Sequence, residues 1–130
     1  MHIIKNLCDD LNLPYGDRFT QDWAYELPDQ YRTKYWLNKY IFAYLYNGYS
    51  SIEKKELMIL SLDVCNDLIS SGLNPNDKVI QKVLNILFNN YKNYEDLINY
   101  WALDSAPLID CFALTPIIRE LKYQNYLQHY

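Results

Sequence analysis

The stretch PDQYRTKYWLNKYIFAYLYNG, from Pro28 to Gly48, decides the fold class of this chain. Its second half, Tyr40 to Tyr46, is apolar or aromatic at all seven positions, the longest such run in the sequence. A helix that is apolar around its whole circumference is usually buried on all sides. The stretch therefore predicts a central aromatic helix, over about 29–47, that is enclosed by the rest of the domain.

Both ends of this helix carry recognisable signals. Pro28 suits a first helical turn, because its missing N–H has no partner there in any case. Asp29 places negative charge near the positive end of the helix dipole, and Gly48 readily takes the left-handed conformation that closes a helix. Helical spacing defines three stripes, which we assign to the core with some tyrosines at its margin. They are Trp36, Tyr40 and Ala43; Leu37 and Tyr44; and Tyr35, Phe42 and Tyr46.

Length and composition bound the class of protein. The chain has 130 residues, half of them hydrophobic, so we expect a single helical domain over 1–130 with a proper core. Only 3 Gly and 5 Pro argue against a turn-rich β-sandwich. The formal net charge of −4 argues against direct nucleic-acid binding, which normally needs a basic surface.

Apolar residues recur at helical spacing along the rest of the chain, and no segment alternates as a strand does. The pattern predicts an all-α bundle of six or seven helices joined by short connections. Besides the central helix, its members are 1–12, 51–71, 75–91, a shorter helix after Asn93, a brief helix from Leu108 to Leu114, and a last helix from Thr115 toward Tyr130.

Capping signals mark several of these helix starts. Ser50 followed three residues later by Glu53 is a capping box. Asn74 followed by Pro75 reads as an N-cap and a first helical position. Asn93 is expected to cap the shorter helix that follows it.

Three cysteines, Cys8, Cys65 and Cys111, are an odd number at wide spacing, which indicates neither a disulfide framework nor a metal motif. We expect reduced thiols in a cytoplasmic protein, with Cys65 and Cys111 as small core residues. No secretory signal is recognisable after Met1. A run of seven apolar residues is far short of the ~20 that span a bilayer. The sequence thus predicts neither a membrane span nor a bound metal.

No catalytic motif is present, and we expect neither an enzyme nor a bound cofactor. Adjacent carboxylates such as Glu95 and Asp96 point about 100° apart on a helix, so they do not form a ready-made pair. Asp63 and Asp67 lie four residues apart and share a face, which we interpret as the solvated side of their helix. A metal site built from carboxylates alone leaves no sequence signature and stays an alternative.

Without a catalytic motif, the composition of the surface is the remaining guide to function. Tyrosine is unusually frequent, with 14 of 130 residues. Tyrosine is enriched at protein interfaces, where it offers a large contact area with few torsions to freeze. Coding bias explains the excess about equally well, since Asn, Ile and Lys are abundant too. Acidic residues accompany tyrosines in two patches that suit a basic partner. The first is Tyr94, Glu95, Asp96, Tyr100, Asp104 and Asp110, and the second is Tyr15, Asp17, Asp22, Tyr25, Glu26 and Asp29.

Two stretches carry a family resemblance. They are the aromatic helix region YRTKYWLNKYIFAYLYNGYSSIEKKELM (31–58) and the acidic helix junction NYEDLINYWALDSAPLIDCFALTP (93–116), together about 40% of the chain. A small, acidic, tyrosine-rich helical protein with these pieces resembles the all-helical immunity proteins of bacterial contact-dependent growth inhibition systems. No residue role is carried over from that family by position.

The resemblance implies a cognate toxin, often a nuclease at the C-terminus of a large secreted effector, that a monomer of this chain binds one to one. It also implies occlusion of a basic active site, without turnover and without direct contact to nucleic acid. We assign partner binding to Glu95, Asp96, Tyr100, Asp104 and Asp110, with Asp22 and Glu26 as second choice. The alternatives are a helical adaptor or regulatory subunit that binds a protein or peptide in a groove, and a small enzyme with a carboxylate metal site.

Overall fold

The structure, a computed structural model, describes residues 3–14 and 23–129. These residues form seven α-helices and three short 3-10 turns and contain no strand, which confirms the predicted all-α class and number of helices. By its contacts the chain divides into two compact units, Met1–Val64 and Cys65–Tyr130. One domain over 1–130 stays a prediction. The helices are α1 Ile3–Leu11, α2 Trp23–Glu26, α3 Lys34–Tyr46, α4 Ser51–Ser70, α5 Lys78–Asn89, α6 Glu95–Ala102 and α7 Thr115–His129.

In the first unit, the aromatic helix α3 is shorter than its predicted span of 29–47. Pro28 precedes a 3-10 turn over Asp29–Tyr31, and the helix itself begins only at Lys34. The hydroxyl of Thr33 accepts a hydrogen bond from the N–H of Trp36 at 3.3 Å, so a threonine caps the helix where a proline was expected to start it. The predicted end is confirmed, because Asn47 is the C-cap and Gly48 after it has a left-handed φ of 70°.

The prediction that α3 is buried on all sides is wrong. Its inner face is buried at Leu37, Tyr40, Ile41, Ala43 and Tyr44. The third predicted stripe, which includes Tyr35, Phe42 and Tyr46, is instead 61–70% exposed. Lysine and asparagine side chains border that stripe and two of its rings carry hydroxyls, so water solvates it better than the apolar run suggests.

Among the described residues, the longest nearly continuous buried stretch lies in α4. Every residue from Leu57 to Cys65 is buried except Ile59, which is half-buried. The predicted capping box opens the helix, with the N–H of Ser50 donating to Glu53 Oε1 at 3.0 Å and the N–H of Glu53 donating to Ser50 Oγ at 3.3 Å. The enclosed stretch therefore lies in α4 and not in the apolar run of α3.

A buried ion pair overturns the interpretation of Asp63 as a solvated residue. Asp63 is 8% exposed, and one of its carboxylate oxygens accepts a hydrogen bond from Nη2 of Arg32. The other terminal nitrogen of Arg32 donates to the carbonyl of Ala24 at 2.6 Å. Arg32 thereby joins α2 to α4, and Trp23 adds a second tie by donating from Nε1 to Glu56 at 2.9 Å.

In the second unit, α5 begins three residues later than the cap signal predicted. Asn74 does not cap the helix, because its side chain accepts from the N–H of Asn76 at 2.8 Å within a turn. Asp77 is the N-cap and accepts from the N–H of Val79 at 3.0 Å. The inner face of α5 buries apolar residues at helical spacing, namely Val79, Ile80, Val83, Leu84 and Leu87.

Two further local predictions in the second unit are wrong. Asn93 lies in a 3-10 turn over Tyr91–Asn93, and the residue before α6 is Tyr94, whose side chain makes no capping bond. The segment predicted as a helix from Leu108 to Leu114 contains one 3-10 turn, Leu108–Asp110. The backbone is extended again at Cys111, with φ −100° and ψ 169°, so the helical conformation ends after this one turn.

Candidate partner-binding surface

Helix α6 presents an acidic and aromatic face to solvent. Its inner face buries Ile98, Trp101 and Ala102. At about 100° per residue, the exposed positions span an arc of about 140° on the opposite side. These exposed residues are Glu95, Asp96, Asn99 and Tyr100. The amphipathic pattern of the helix thus turns its two carboxylates and one ring outward together.

Tyr100 is held in place at the end of this face by other rings. Its ring stacks on Phe112 with 5.6 Å between centroids and meets the edge of Trp101 at 5.3 Å. Trp101, which is buried, also contacts Phe112 at 4.8 Å. Tyr100 is nevertheless 47% exposed, so a fixed aromatic side chain is available for contact.

Arg119 of α7 organises the loop that follows α6. Leu103 ends the helix in a left-handed conformation, with φ 43° and ψ 51°. The guanidinium of Arg119 then donates to the carbonyls of Ala102 at 2.6 Å and Ala106 at 2.8 Å, and also to that of Leu103. A planar guanidinium fixes several acceptors at once, so the loop is pinned to α7.

The loop between α6 and α7, residues 103–114, exposes both charged and apolar side chains. Asp104 and Asp110 are exposed, and Leu108 and Ile109 between them are 60% and 91% exposed. Asp104 forms an ion pair with Lys122 of α7, whose side chain is 27% exposed. Because exposed ion pairs contribute only ~0–1 kcal/mol, a partner's cation can replace this lysine at small cost.

The first predicted patch is thus exposed almost in full. We define the acidic surface as Glu95, Asp96, Tyr100, Asp104 and Asp110, all of which are exposed within the second unit. Tyr94 is the exception, since it is 5% exposed and belongs to the core. Residues 95–110 contain four carboxylates and no lysine or arginine, which makes the segment locally anionic.

The second predicted patch is only partly described. Glu26 and Asp29 are exposed in the first unit, and Tyr25 is 45% exposed. Asp22 lies outside the described residues. Tyr15 and Asp17 lie outside them as well.

Two exposed apolar residues in the same loop as Asp104 and Asp110, Leu108 and Ile109, were not expected from the sequence. The sequence places Leu108 and Ile109 in a brief apolar helix, whereas the structure has a single 3-10 turn there. The signal that could have found them is Pro107, because proline is typical of turns as well as of the first helical position. Exposed apolar side chains on a turn are suited to insertion into a partner.

The three cysteines form no disulfide. Cys8 and Cys65 are buried, and burial raises the pKa of Cys8 to about 11, with the charge of Asp9 adding to the effect. Burial also raises the pKa of Cys65. Cys111, predicted as a core residue, is half-buried in the loop, where its Sγ lies 3.4 Å from Arg119 Nη2. Buried thiols with raised pKa values are poor nucleophiles.

Comparison of the chain with protein-family models, curated proteins and solved structures finds no match. Within the described residues, none of the helices combines the length and the apolar character needed to cross a membrane. No three His, Cys, Asp or Glu side chains among residues 3–14 and 23–129 are grouped so that they could hold a metal ion. The acidic surface is therefore the feature that bears on function.

Proposed function

We propose that this chain is an immunity protein that binds a basic toxin domain, with a nuclease as the favoured class, and occludes its active site. One chain binds one toxin domain in the cytoplasm of the producing cell, and inhibition is stoichiometric, without turnover. The observation that carries the proposal is the acidic surface, whose segment 95–110 holds four carboxylates and no lysine or arginine of its own, beside exposed Tyr100 and Ile109. Lys122 of α7 pairs with one of the four, Asp104.

The charge of this surface is complementary to that of a nucleic-acid-binding cleft. A nuclease holds phosphates with lysine and arginine side chains, and carboxylates on a rigid loop offer those cations an alternative partner. Acidic residues also accelerate association with a basic protein by long-range attraction. Tyr100, fixed by Trp101 and Phe112, and Ile109 on its turn supply the apolar anchors that dominate most interfaces.

The rigidity of the loop supports the same function. A surface that is already ordered before binding loses little conformational entropy when the partner arrives. Arg119 supplies this order through its bonds to the carbonyls of residues 102, 103 and 106. The loop is therefore suited to present a fixed arrangement of charges to the toxin.

Co-purification with charge variants tests the proposal. The tagged full chain is expressed in its native host and recovered with its bound proteins, in parallel with the double variant Glu95→Lys/Asp104→Lys. We expect the wild-type chain to retain a basic protein that the double variant loses, with affinity at least about tenfold weaker. Glu120→Lys, an exposed change of the same sign on α7, is the control and retains the partner.

Two outcomes contradict the proposal. Equal recovery by wild type and double variant shows that the acidic surface does not bind the partner. Recovery of an acidic protein, or of a protein whose activity continues in the complex, shows that the chain does not occlude a basic site. Binding that weakens as salt rises from 50 to 500 mM is expected, because attraction between exposed charges is screened over roughly 10 Å at 0.1 M.

A further inference from the structure

The outer face of α3 carries a narrow stripe of large exposed side chains. It consists of Tyr35, Lys39, Phe42 and Tyr46, and is called the α3 stripe below. The three aromatic side chains are 64%, 61% and 70% exposed, in that order. At about 100° per residue, the four positions fall within an arc of about 60°. The fold thus leaves three rings in water on a single helix face.

The spacing of the α3 stripe is that of a helix that packs along another helix. Its members are separated by four, three and four residues, which is the repeat of a coiled-coil seam. The order of these gaps reads the same in both directions along the chain. A seam with this symmetry fits a second copy of itself when the two helices lie antiparallel about a two-fold axis.

We propose that two copies of this chain associate through their α3 stripes as an antiparallel, two-fold symmetric dimer. In this arrangement Lys39 of each copy faces Phe42 of the other copy. Tyr35 of each copy faces Tyr46 of the other. The proposal replaces the sequence-based expectation of a monomer, and it does not rest on the function proposed for the acidic surface.

Lys39 selects the antiparallel orientation. Parallel pairing in register would place the two Lys39 ammonium groups opposite each other, and like charges repel. Antiparallel pairing places each ammonium near a phenylalanine ring, which attracts a cation. Lys39 Nζ already lies 4.9 Å from the ring centroid of Tyr35 and 4.7 Å from that of Trp36 in its own chain. Its charge is therefore compensated by rings and does not interrupt the apolar face.

The size of the α3 stripe indicates a weak dimer. A fully covered aromatic side chain buries 150–250 Å², so the exposed fractions of the three rings offer roughly 400 Å² per copy. Leu45, which is 48% exposed, lies beside the stripe and extends it together with the stem of Lys39. The total over two copies approaches the ~1,200 Å² at the lower end of specific interfaces. Association is therefore expected to depend on protein concentration.

Sedimentation equilibrium of the full chain from about 1 to 300 µM tests the dimer and its register. Phe42→Lys places a second cation opposite Lys39 and is expected to weaken the dimer at least about tenfold. Phe42→Glu loses the same ring but opposes Lys39 with a carboxylate, so it is expected to weaken the dimer clearly less than Phe42→Lys does. The double variant Lys39→Glu/Phe42→Lys restores opposite charges and is expected to associate about as strongly as Phe42→Glu, and more strongly than Phe42→Lys.

Matched controls separate this contact from general loss of an apolar side chain. Tyr123→Lys removes a ring that is also 61% exposed, on α7 in the second unit, and leaves the dimer intact. Circular dichroism confirms that each variant is folded, as expected for exposed positions. A wild-type chain that is monomeric at 300 µM overturns the proposal. It is also overturned if Phe42→Lys and Phe42→Glu weaken association equally, or if Tyr123→Lys abolishes it.

Discussion

The substitution Asp63→Asn removes the charge of the buried partner of Arg32 and keeps the shape of the side chain. The side chains of Arg32 and Asp63 are only 6% and 12% exposed, so water compensates little when the pair is broken. The charged guanidinium of Arg32 then remains in the interior, where it donates to the neutral carbonyl of Ala24 at 2.6 Å. Loss of one member of a buried ion pair costs about 3–5 kcal/mol.

Asparagine keeps one acceptor oxygen, so we expect the lower end of that range, about 3 kcal/mol of unfolding free energy. For a chain of this length such a loss lowers Tm by about 10–15 °C. Urea unfolding followed by fluorescence of Trp23, Trp36 and Trp101 measures the change directly. The double variant Arg32→Met/Asp63→Leu replaces both charges with apolar groups and is expected to lie within about 1 kcal/mol of wild type.

The exposed pair of Lys5 and Asp9 provides the control. Its side chains are 45% and 47% exposed at an N–O separation of 3.1 Å, so Asp9→Asn is expected to cost no more than about 0.5 kcal/mol. An Asp63→Asn variant that also loses less than about 1 kcal/mol contradicts the reasoning. That result shows that water reaches the pair in solution and that α4 is not enclosed at this point.

Three further predictions follow from the loop and the thiols. Arg119→Met removes the bonds that pin the loop, so the amides of Ala106, Asp110 and Cys111 are expected to exchange hydrogen at least about tenfold faster, with α5 amides unchanged as the control. Cys111 is expected to react first with a thiol reagent in the native protein, and the buried Cys8 and Cys65 to react only after unfolding; three equal rates contradict the burial. Burial raises the pKa of Cys8 from 9.0 to about 11. The neutral thiol therefore contributes fully to the free energy of unfolding below pH 9, and this contribution is lost as pH rises toward 11. The urea midpoint is thus expected to fall over this range, and to fall less in Cys8→Ala; equal pH profiles contradict the assignment.

Local interactions explain which parts of the fold the sequence predicted. The capping box of Ser50 and Glu53 joins residues three apart, so its signal is complete within the segment itself. The left-handed Gly48 after α3 is likewise a property of one position. The predicted starts of α3 and α5 lie several residues too early, because Thr33 and Asp77 are the residues that cap these helices. Local sequence does not distinguish them from the earlier candidates.

Long-range interactions explain what the sequence could not predict. Asp63 has helical neighbours that favour a solvated face, and its partner Arg32 lies 31 residues away in sequence. The apolar run of α3 predicts an enclosed helix, yet the enclosed stretch lies in α4. An apolar run in the sequence does not show which side of a helix is covered by other helices. Tertiary packing overrides local pattern in both cases.

The acidic surface was predictable in its charge and not in its form. Glu95, Asp96, Asp104 and Asp110 could be identified because carboxylates remain in water unless they are paired. The bonds from Arg119 to three loop carbonyls connect residues 13 to 17 apart and leave no trace in the spacing of the sequence. The exposure of Ile109 depends on that loop and was missed for the same reason.

The proposed covering of a basic partner's active site, in a one-to-one complex, predicts stoichiometric inhibition. The most direct measurement titrates the activity of the co-purified partner, such as hydrolysis of RNA or DNA, with increasing amounts of this chain. We expect activity to fall linearly to zero at one chain per partner, and Glu95→Lys/Asp104→Lys to require at least about tenfold more protein. Activity that persists at a large excess of the wild-type chain contradicts the claim.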